Sequence, residues 1–278
     1  MAATTSSTLD DLFVNIVSGT VMHTAEENSI MRGLVRTLDI GNIAGTTIQV
    51  PKYGSISAAA LTEGTDMSST AVSTSSVSIA VGEVGVQSVV TDIAMMGSGN
   101  AAVEVGRVLG NAMARKLDQD LIALFDGFST SLGATTTELT ADALFQAAAT
   151  LKANKAMGRM IGVFHPYQTY NLKKSLTAAG VNPNGGDLQN QAMREGFVGR
   201  IAGIDIYETA NITVDGSGDA KGAIFTPEAL ALCMKRDIKI ETERDASLRA
   251  YEFNATAVYG VGELEDTFGV EMYYDAGL

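Results

Sequence analysis

Thr46-Thr47-Ile48-Gln49-Val50-Pro51-Lys52-Tyr53 opens the stretch whose reading decides the fold, because after Lys52 no Lys or Arg occurs until Arg107. Most of that run reads as one β-hairpin. The outgoing strand is the segment just quoted, the tip is Leu61-Thr62-Glu63-Gly64-Thr65-Asp66, and the returning strand runs from Ala71 through Val72, Thr74, Ser76, Val77, Ile79 and Val81. Each arm is expected to hold about 15 residues and to reach roughly 50 Å at the usual strand rise. Gly82 and Gly85 mark bends or bulges near the base. Ser and Thr are frequent on both faces, so the ribbon has little core of its own, and an isolated two-stranded ribbon is marginal in water. Its open edges invite pairing with other chains. The stabilising surface is therefore expected on a neighbouring subunit, with Tyr53, Leu61, Glu63, Asp66 and Met67 as the candidate intersubunit residues. This is the pattern of an assembly protein.

Working outward, the chain before the ribbon carries two short apolar repeats at helical spacing. The first is Leu9, Leu12, Phe13, Ile16 and Val17; the second is Ile30, Met31, Leu34, Val35 and Leu38. After the ribbon the character changes. Ser98-Gly99-Asn100 offers an N-cap, and apolar residues recur at Ala102, Val105, Leu109, Ala112, Met113, Leu117, Leu121 and Leu124 before Gly127 stops the pattern. This predicts a helix over 99–126, about 40 Å long at 1.5 Å per residue, with Val105, Leu109, Met113, Leu117 and Leu121 facing the core.

From Thr140 the pattern is mixed. A helix over Ala141–Ala153 presents Leu144, Phe145, Ala148 and Leu151. A strand over Met160–Phe164 ends at His165-Pro166, and a helix over Tyr167–Ala178 runs into Gly180-Val181-Asn182-Pro183-Asn184-Gly185-Gly186, a turn-rich loop. Strands fit Gly203–Tyr207, Gly222–Phe225 and Arg236–Thr242, with a helix beginning at Pro227. Long strands over Ala250–Glu263 and Phe268–Tyr274 close the chain. The fold class is α+β.

Composition narrows the function. The net charge is −13, with no basic stripe of the kind that counterion-driven binding to phosphates needs. One cysteine, Cys233, excludes an intrachain disulfide and a Cys-rich metal site, and it lies in the apolar run Ala229–Met234, where burial is expected. The first side-chain cation is Arg32, so the N-terminus is not read as a secretory signal. No apolar run is long enough to span a membrane. Only His23 and His165 are present, which rules out a three-His zinc site; His165 reads as a structural residue at a strand end. There is no Gly-x-Ser-x-Gly elbow and no Gly-Lys-Ser/Thr phosphate loop. Gly260-Val261-Gly262-Glu263 lacks the third glycine of a dinucleotide fingerprint. The acidic group Glu263, Glu265 and Asp266 does not match a calcium loop and reads as a solvated turn. No cofactor, metal or catalytic residue is expected.

The order of elements, taken with several local segments, resembles the major capsid proteins of tailed bacteriophages, whose fold was first recognised in phage Hong Kong 97. The segments that carry the resemblance are Val50-Pro51, Leu61-Thr62-Glu63-Gly64, the long helix after Gly99, and Val163-Phe164-His165-Pro166-Tyr167-Gln168-Thr169-Tyr170-Asn171-Leu172-Lys173-Lys174. Further along they are Gly199-Arg200-Ile201-Ala202-Gly203-Ile204-Asp205-Ile206-Tyr207-Glu208-Thr209, then Glu243-Arg244-Asp245-Ala246-Ser247 leading to Ala257-Val258-Tyr259-Gly260-Val261-Gly262. The resemblance implies an N-terminal arm over 1–40, an extended loop over 46–86, and a peripheral domain over 87–135 and 250–278 with a spine helix over 99–126. It also implies an axial domain over 136–249, with Asn182, Pro183 and Asn184 in an axial loop. The implied role is non-enzymatic: hexamers and pentamers that close into an icosahedral shell, enclosing double-stranded DNA without specific binding, as part of the virion and assembled in the host bacterial cytoplasm. Implied partners are a separate scaffolding protein, since Met1 leads almost directly into the arm, a portal, and, as a further candidate, a decoration protein. The Lys–Asn isopeptide welding of phage Hong Kong 97 is not expected, since the hairpin tip has no lysine. An encapsulin-type nanocompartment shell, or another phage structural protein of the tail or decoration type, is the alternative reading; an enzyme is a third.

Overall fold

The computed structural model describes residues 29–41, 45–64, 66–67, 69–97, 101–156, 158–178 and 199–277. Three sheets organise them. The first has four strands in the order β1 (Arg36–Asp39), β10 (Leu230–Asp245), β11 (Ala250–Glu263) and β4 (Gly82–Thr91). The second has six, in the order β5 (Ser131–Gly133), β12 (Gly269–Asp275), β9 (Asp219–Phe225), β6 (Met160–Phe164), β8 (Ile204–Glu208) and β7 (Arg200–Ile201). The third is a two-stranded ribbon of β2 (Thr47–Tyr53) and β3 (Thr74–Ala80). Helices α1 (Asp92–Gly97), α2 (Ala101–Ile122), α3 (Ala141–Ala153) and α4 (Pro166–Ala178) complete the frame.

Helix α2 owes its place to a four-residue spacing. Leu109, Met113, Leu117 and Leu121 form one stripe, and all four are buried. They share a core with Leu230, Leu232 and Met234 of β10 and with Phe253, Ala255 and Ala257 of β11. Val105 and Leu124 pack at the margin of this core, partly buried, whereas Ala112 is exposed. Tyr259 of β11 donates its hydroxyl to Asp120 of the helix at 2.8 Å, and burial followed by that carboxylate drives the phenol well above its ordinary range. The described helix has 22 residues, about 33 Å, shorter than the sequence predicts. A 3-10 turn over Ala123–Gly127 replaces the last α-turn and Gly127 ends it; the expected N-cap at 98–100 lies outside the described residues. That turn sets Phe125 against Phe225 of β9, ring centres 5.6 Å apart, joining the helix end to the second sheet.

The centre of the six-stranded sheet, β6 and β9, is buried on both faces. Ile161 and Val163 of β6 and Phe225 of β9 point into the core below α2. Their sequence neighbours Met160, Phe164 and Ile224 point the other way, to Leu144, Ala147, Ala148 and Leu151 of α3 and Leu172 of α4. This two-sided burial is why β6 reads as an uninterrupted apolar run. Thr140 caps α3 by accepting from the Ala143 amide. Gln168, fully buried on α4, donates to the carbonyls of Ala220 and Tyr274, and its own carbonyl accepts the His165 amide. It knits the helix start to two strands.

Several expectations are corrected. Phe145 does not join the core; it is 57% exposed, because on α3 it lies about 100° round from Leu144. The segment Pro227–Ala229 is a tight turn, closed by the Ala229 amide on the Thr226 carbonyl, and the chain enters β10 at Leu230 instead of a helix. Residues 30–38 are not a helical piece of a free arm: a single 3-10 turn, Met31–Gly33, leads to β1, which runs parallel to β10. Met31, Leu34 and Val35 are buried in the main core. The other expected arm helix, over Leu9–Val17, lies outside the described residues. β10 pairs with β11 and β12 with β9, so both of these sheets draw strands from either side of residue 249.

Candidate assembly surface

The ribbon has a foot and a free end, and sequence dictates both. Along β2 burial alternates, with Ile48, Val50 and Lys52 turned inward. Ile48 and Val50, together with Val77, Ile79 and Val81, close over Ile40, Leu38, Ala231, Cys233 and Leu264. Ala231 and Cys233 are the residues of β10 that alternate with Leu230, Leu232 and Met234, so this strand serves the α2 core on one face and the ribbon foot on the other. Burial pushes the Cys233 thiol up from its ordinary pKa. Gly260 and Gly262 make room for the foot: a Cβ at Gly260 would lie 2.3 Å from the Ala80 carbonyl oxygen, and one at Gly262 2.7 Å from Ile79 Cγ1. Gly260-Val261-Gly262 is a packing seat. Two lysines brace the two ends of β2, Lys235 on the Gly45 carbonyl at 2.6 Å and Lys52 on Glu265 at 2.8 Å.

Beyond the foot the ladder is short. Seven pairs run from Thr47 opposite Ala80 to Tyr53 opposite Thr74, about 23 Å of strand, followed by one bond from the Gly54 amide to the Ser73 carbonyl. The expected arms of about 15 residues are thus roughly halved. Gly54-Ser55-Ile56-Ser57-Ala58-Ala59-Ala60 supplies one β-branched side chain in seven positions, and the described residues offer no surface for a pleated face to bury. The chain leaves the ribbon at Val81 and enters β4 at Gly82. The register of β4 on β11 is unbroken through Gly85, so neither glycine is a bulge.

Every described residue from Tyr53 to Ser76 is exposed. Tyr53 is 76% exposed, Leu61 66% and Met67 75%, with Ile56 and Val72 also open to solvent. Glu63 and Asp66 are exposed beside them. The five candidate intersubunit residues therefore share one protruding segment that combines large apolar side chains with two carboxylates and no cation. The candidate axial-loop residues Asn182, Pro183 and Asn184 lie outside the described residues.

At the foot, Glu263, Glu265 and Asp266 form a protein-satisfied corner. Glu265 holds Lys52, and Asp266 accepts the Ser129 amide at 2.7 Å and the Ser129 hydroxyl. Burial, then the neighbouring Asp266, pushes the Glu263 carboxyl above its usual range. Burial pushes Asp266 the same way, but the Ser129 hydrogen bonds outweigh it and hold this group below. Among the described residues no set of three or more His, Cys, Asp or Glu is placed to hold a metal. His165 Nδ1 accepts the Tyr167 amide at 3.3 Å and the two rings meet edge to face. The sequence reading missed Asp118, which is fully buried on α2. Its signal was a carboxylate with Leu121 and Ile122 three and four residues ahead, on the rim of the apolar stripe.

Residues 74–271 match the family described as phage capsid protein. Among solved structures, the capsid of cyanophage P-SCSP1u is 20% identical with a TM-score of 0.73, covering 96% of this chain and 94% of that one. A structure from Mycobacterium phage Che8 is 22% identical with a TM-score of 0.74 and coverage of 92% and 94%. One from Microbacterium phage Oxtober96 is 12% identical with a TM-score of 0.74 and coverage of 99% and 100%. Among curated proteins none matches the sequence.

Proposed function

This chain belongs to the phage capsid protein family, and on that premise we propose that its ribbon is the surface through which one subunit overlaps the next in a closed shell. The protein is a major capsid protein with the fold of phage Hong Kong 97 and a part of the virion. The observation that carries the proposal is the exposure of every described residue from Tyr53 to Ser76. Large apolar side chains grouped on a protrusion mark an interaction surface. In this reading the subunits form hexamers and pentamers that close into an icosahedral shell around double-stranded DNA, assembled in the host cytoplasm. Their role is structural and not enzymatic. The four-stranded sheet with α2 is the peripheral domain, and the six-stranded sheet with α3 and α4 is the axial domain. A net charge of −13 keeps the shell from adsorbing the DNA it encloses. Scaffolding, portal and decoration proteins are the partners of the same reading. Negative-stain microscopy of purified particles built from this protein tests it: closed icosahedral shells containing DNA are expected, and open tubes, or shells holding a protein cargo in place of nucleic acid, would overturn it.

The shells are held by noncovalent contacts. Lys52 is the only lysine before Lys116, and its amine is engaged by Glu265 of the same subunit. Mature particles boiled in detergent are expected to run as one band near 29.0 kDa. A ladder of multimers would show that a lysine is consumed in a cross-link after all.

A further inference from the structure

Asp118 has 0% exposure on a helix whose other described charged residues, Glu104, Arg107, Arg115, Lys116 and Asp120, all reach solvent. Among the described residues no cation pairs with it. Four donors satisfy it instead. Its Oδ1 accepts the Ser29 hydroxyl at 2.6 Å and the Met31 amide at 3.2 Å. Its Oδ2 accepts the Ile30 amide at 2.9 Å and the Asn211 side-chain amide at 3.4 Å. Three of these donors come from consecutive residues, at the point where the 3-10 turn Met31–Gly33 begins. That turn has no side-chain cap of its own. A turn start leaves backbone N–H groups without local partners, and here a carboxylate from a helix 87 residues further along the chain supplies them.

The same segment is held on its other side. Met31 is fully buried against the α2 core, and the Arg32 guanidinium makes a two-pronged pair with Asp237 of β10, at 3.1 and 2.8 Å. Residues 29–32 are therefore fastened both to the long helix and to the central sheet. We infer that Asp118 is a positioning residue for the N-terminal arm. It fixes where the arm's last described stretch, residues 29–32, sits on the subunit body, and it couples that place to the long helix. The inference rests on the shell reading only for its consequence, that a segment held at one fixed point takes the same place in every subunit of the particle.

The test is hydrogen exchange by mass spectrometry on the full-length protein, paired with particle sizing by microscopy. Asp118→Asn keeps the shape but turns one oxygen into a donor facing the Ile30 and Asn211 donors. Peptides covering 29–34 are expected to exchange about tenfold faster or more, the loss of charge-assisted hydrogen bonds at a local opening. Peptides over 113–122 and 230–245 stay unchanged, and particles lose their uniform diameter. The double variant Ser29→Ala, Asn211→Ala removes two of the four donors without touching the helix, and a smaller acceleration confined to 29–34 is expected. Unchanged exchange at 29–34 in either variant overturns the clamp. Loss of protection in every peptide of Asp118→Asn assigns the residue to core stability and overturns the positioning role, as do uniform particles with a released 29–34 segment. Absence of shells from the wild-type protein would instead sink the shell reading while leaving the exchange result standing.

Discussion

Excising Gly54–Ser73 and joining Tyr53 to Thr74 through a short turn is expected to abolish closed shells while leaving a folded, soluble subunit. The asymmetry follows from where the ribbon's side chains go. The seven-pair stem and its apolar foot, Ile48, Val50, Val77 and Ile79, close over Ala231, Cys233 and Leu264 and belong to the subunit's own packing. The segment removed is exposed at every described residue, and none of those residues belongs to that cluster. A cut at Tyr53–Ala80 would be a worse experiment, because it strips Ile79 from its seat between Gly260 and Gly262 and opens the core. The excised protein should give a cooperative melt close to that of the intact subunit and sediment as a small species in gradients. Closed shells from the excised chain would remove the ribbon from the list of assembly elements. A melt that broadens or collapses would show that the stem cannot stand without its free end.

Leu121→Ala is the second large effect, expected to cost about 2–5 kcal/mol of subunit stability as a buried leucine loses its contacts and leaves a cavity. Leu121 has no exposed surface, and it sits where the long helix, β10 and β11 share one core. Arg115→Ala on the same helix, exposed and outside the stripe, should stay within about 0.5 kcal/mol. Denaturant unfolding of subunits kept apart by the ribbon excision measures both. Similar costs for the two substitutions would mean that the stripe Leu109, Met113, Leu117, Leu121 is not the buried face.

What could be read from the sequence was whatever its own periodicity determined. Ala141–Ala153, Met160–Phe164 and Ala250–Glu263 appear with the predicted limits, since a Thr140 cap, a five-residue apolar run ended by Pro166, and sustained alternation each settle the structure locally. The α2 stripe was legible for the same reason. The misreadings arise where partners distant in sequence decide. Ala229–Met234 suits a helix or a strand equally well, and only its position between β1 and β11 makes it a strand. Ile30–Leu38 has helical spacing, yet it is drawn into extended pairing with β10. Ribbon length was overestimated because alternation of Ser and Thr looks like a strand whether or not a surface exists for it to lie on. Asp118 was invisible as an anchor, since its donors are found from Ser29 to Met31 and at Asn211, far away along the chain.

The lone thiol gives this architecture a chemical timer. Cys233 is the only cysteine in the chain, it has no exposed surface, and its cover includes Ile79 and Val77 of the ribbon foot. A thiol reacts as thiolate and only when reagent can reach it; here burial opposes both. Its rate of alkylation therefore counts how often the ribbon lifts from its seat, in a free subunit or in a finished particle, with no label to introduce and no second sulfhydryl to confuse the signal.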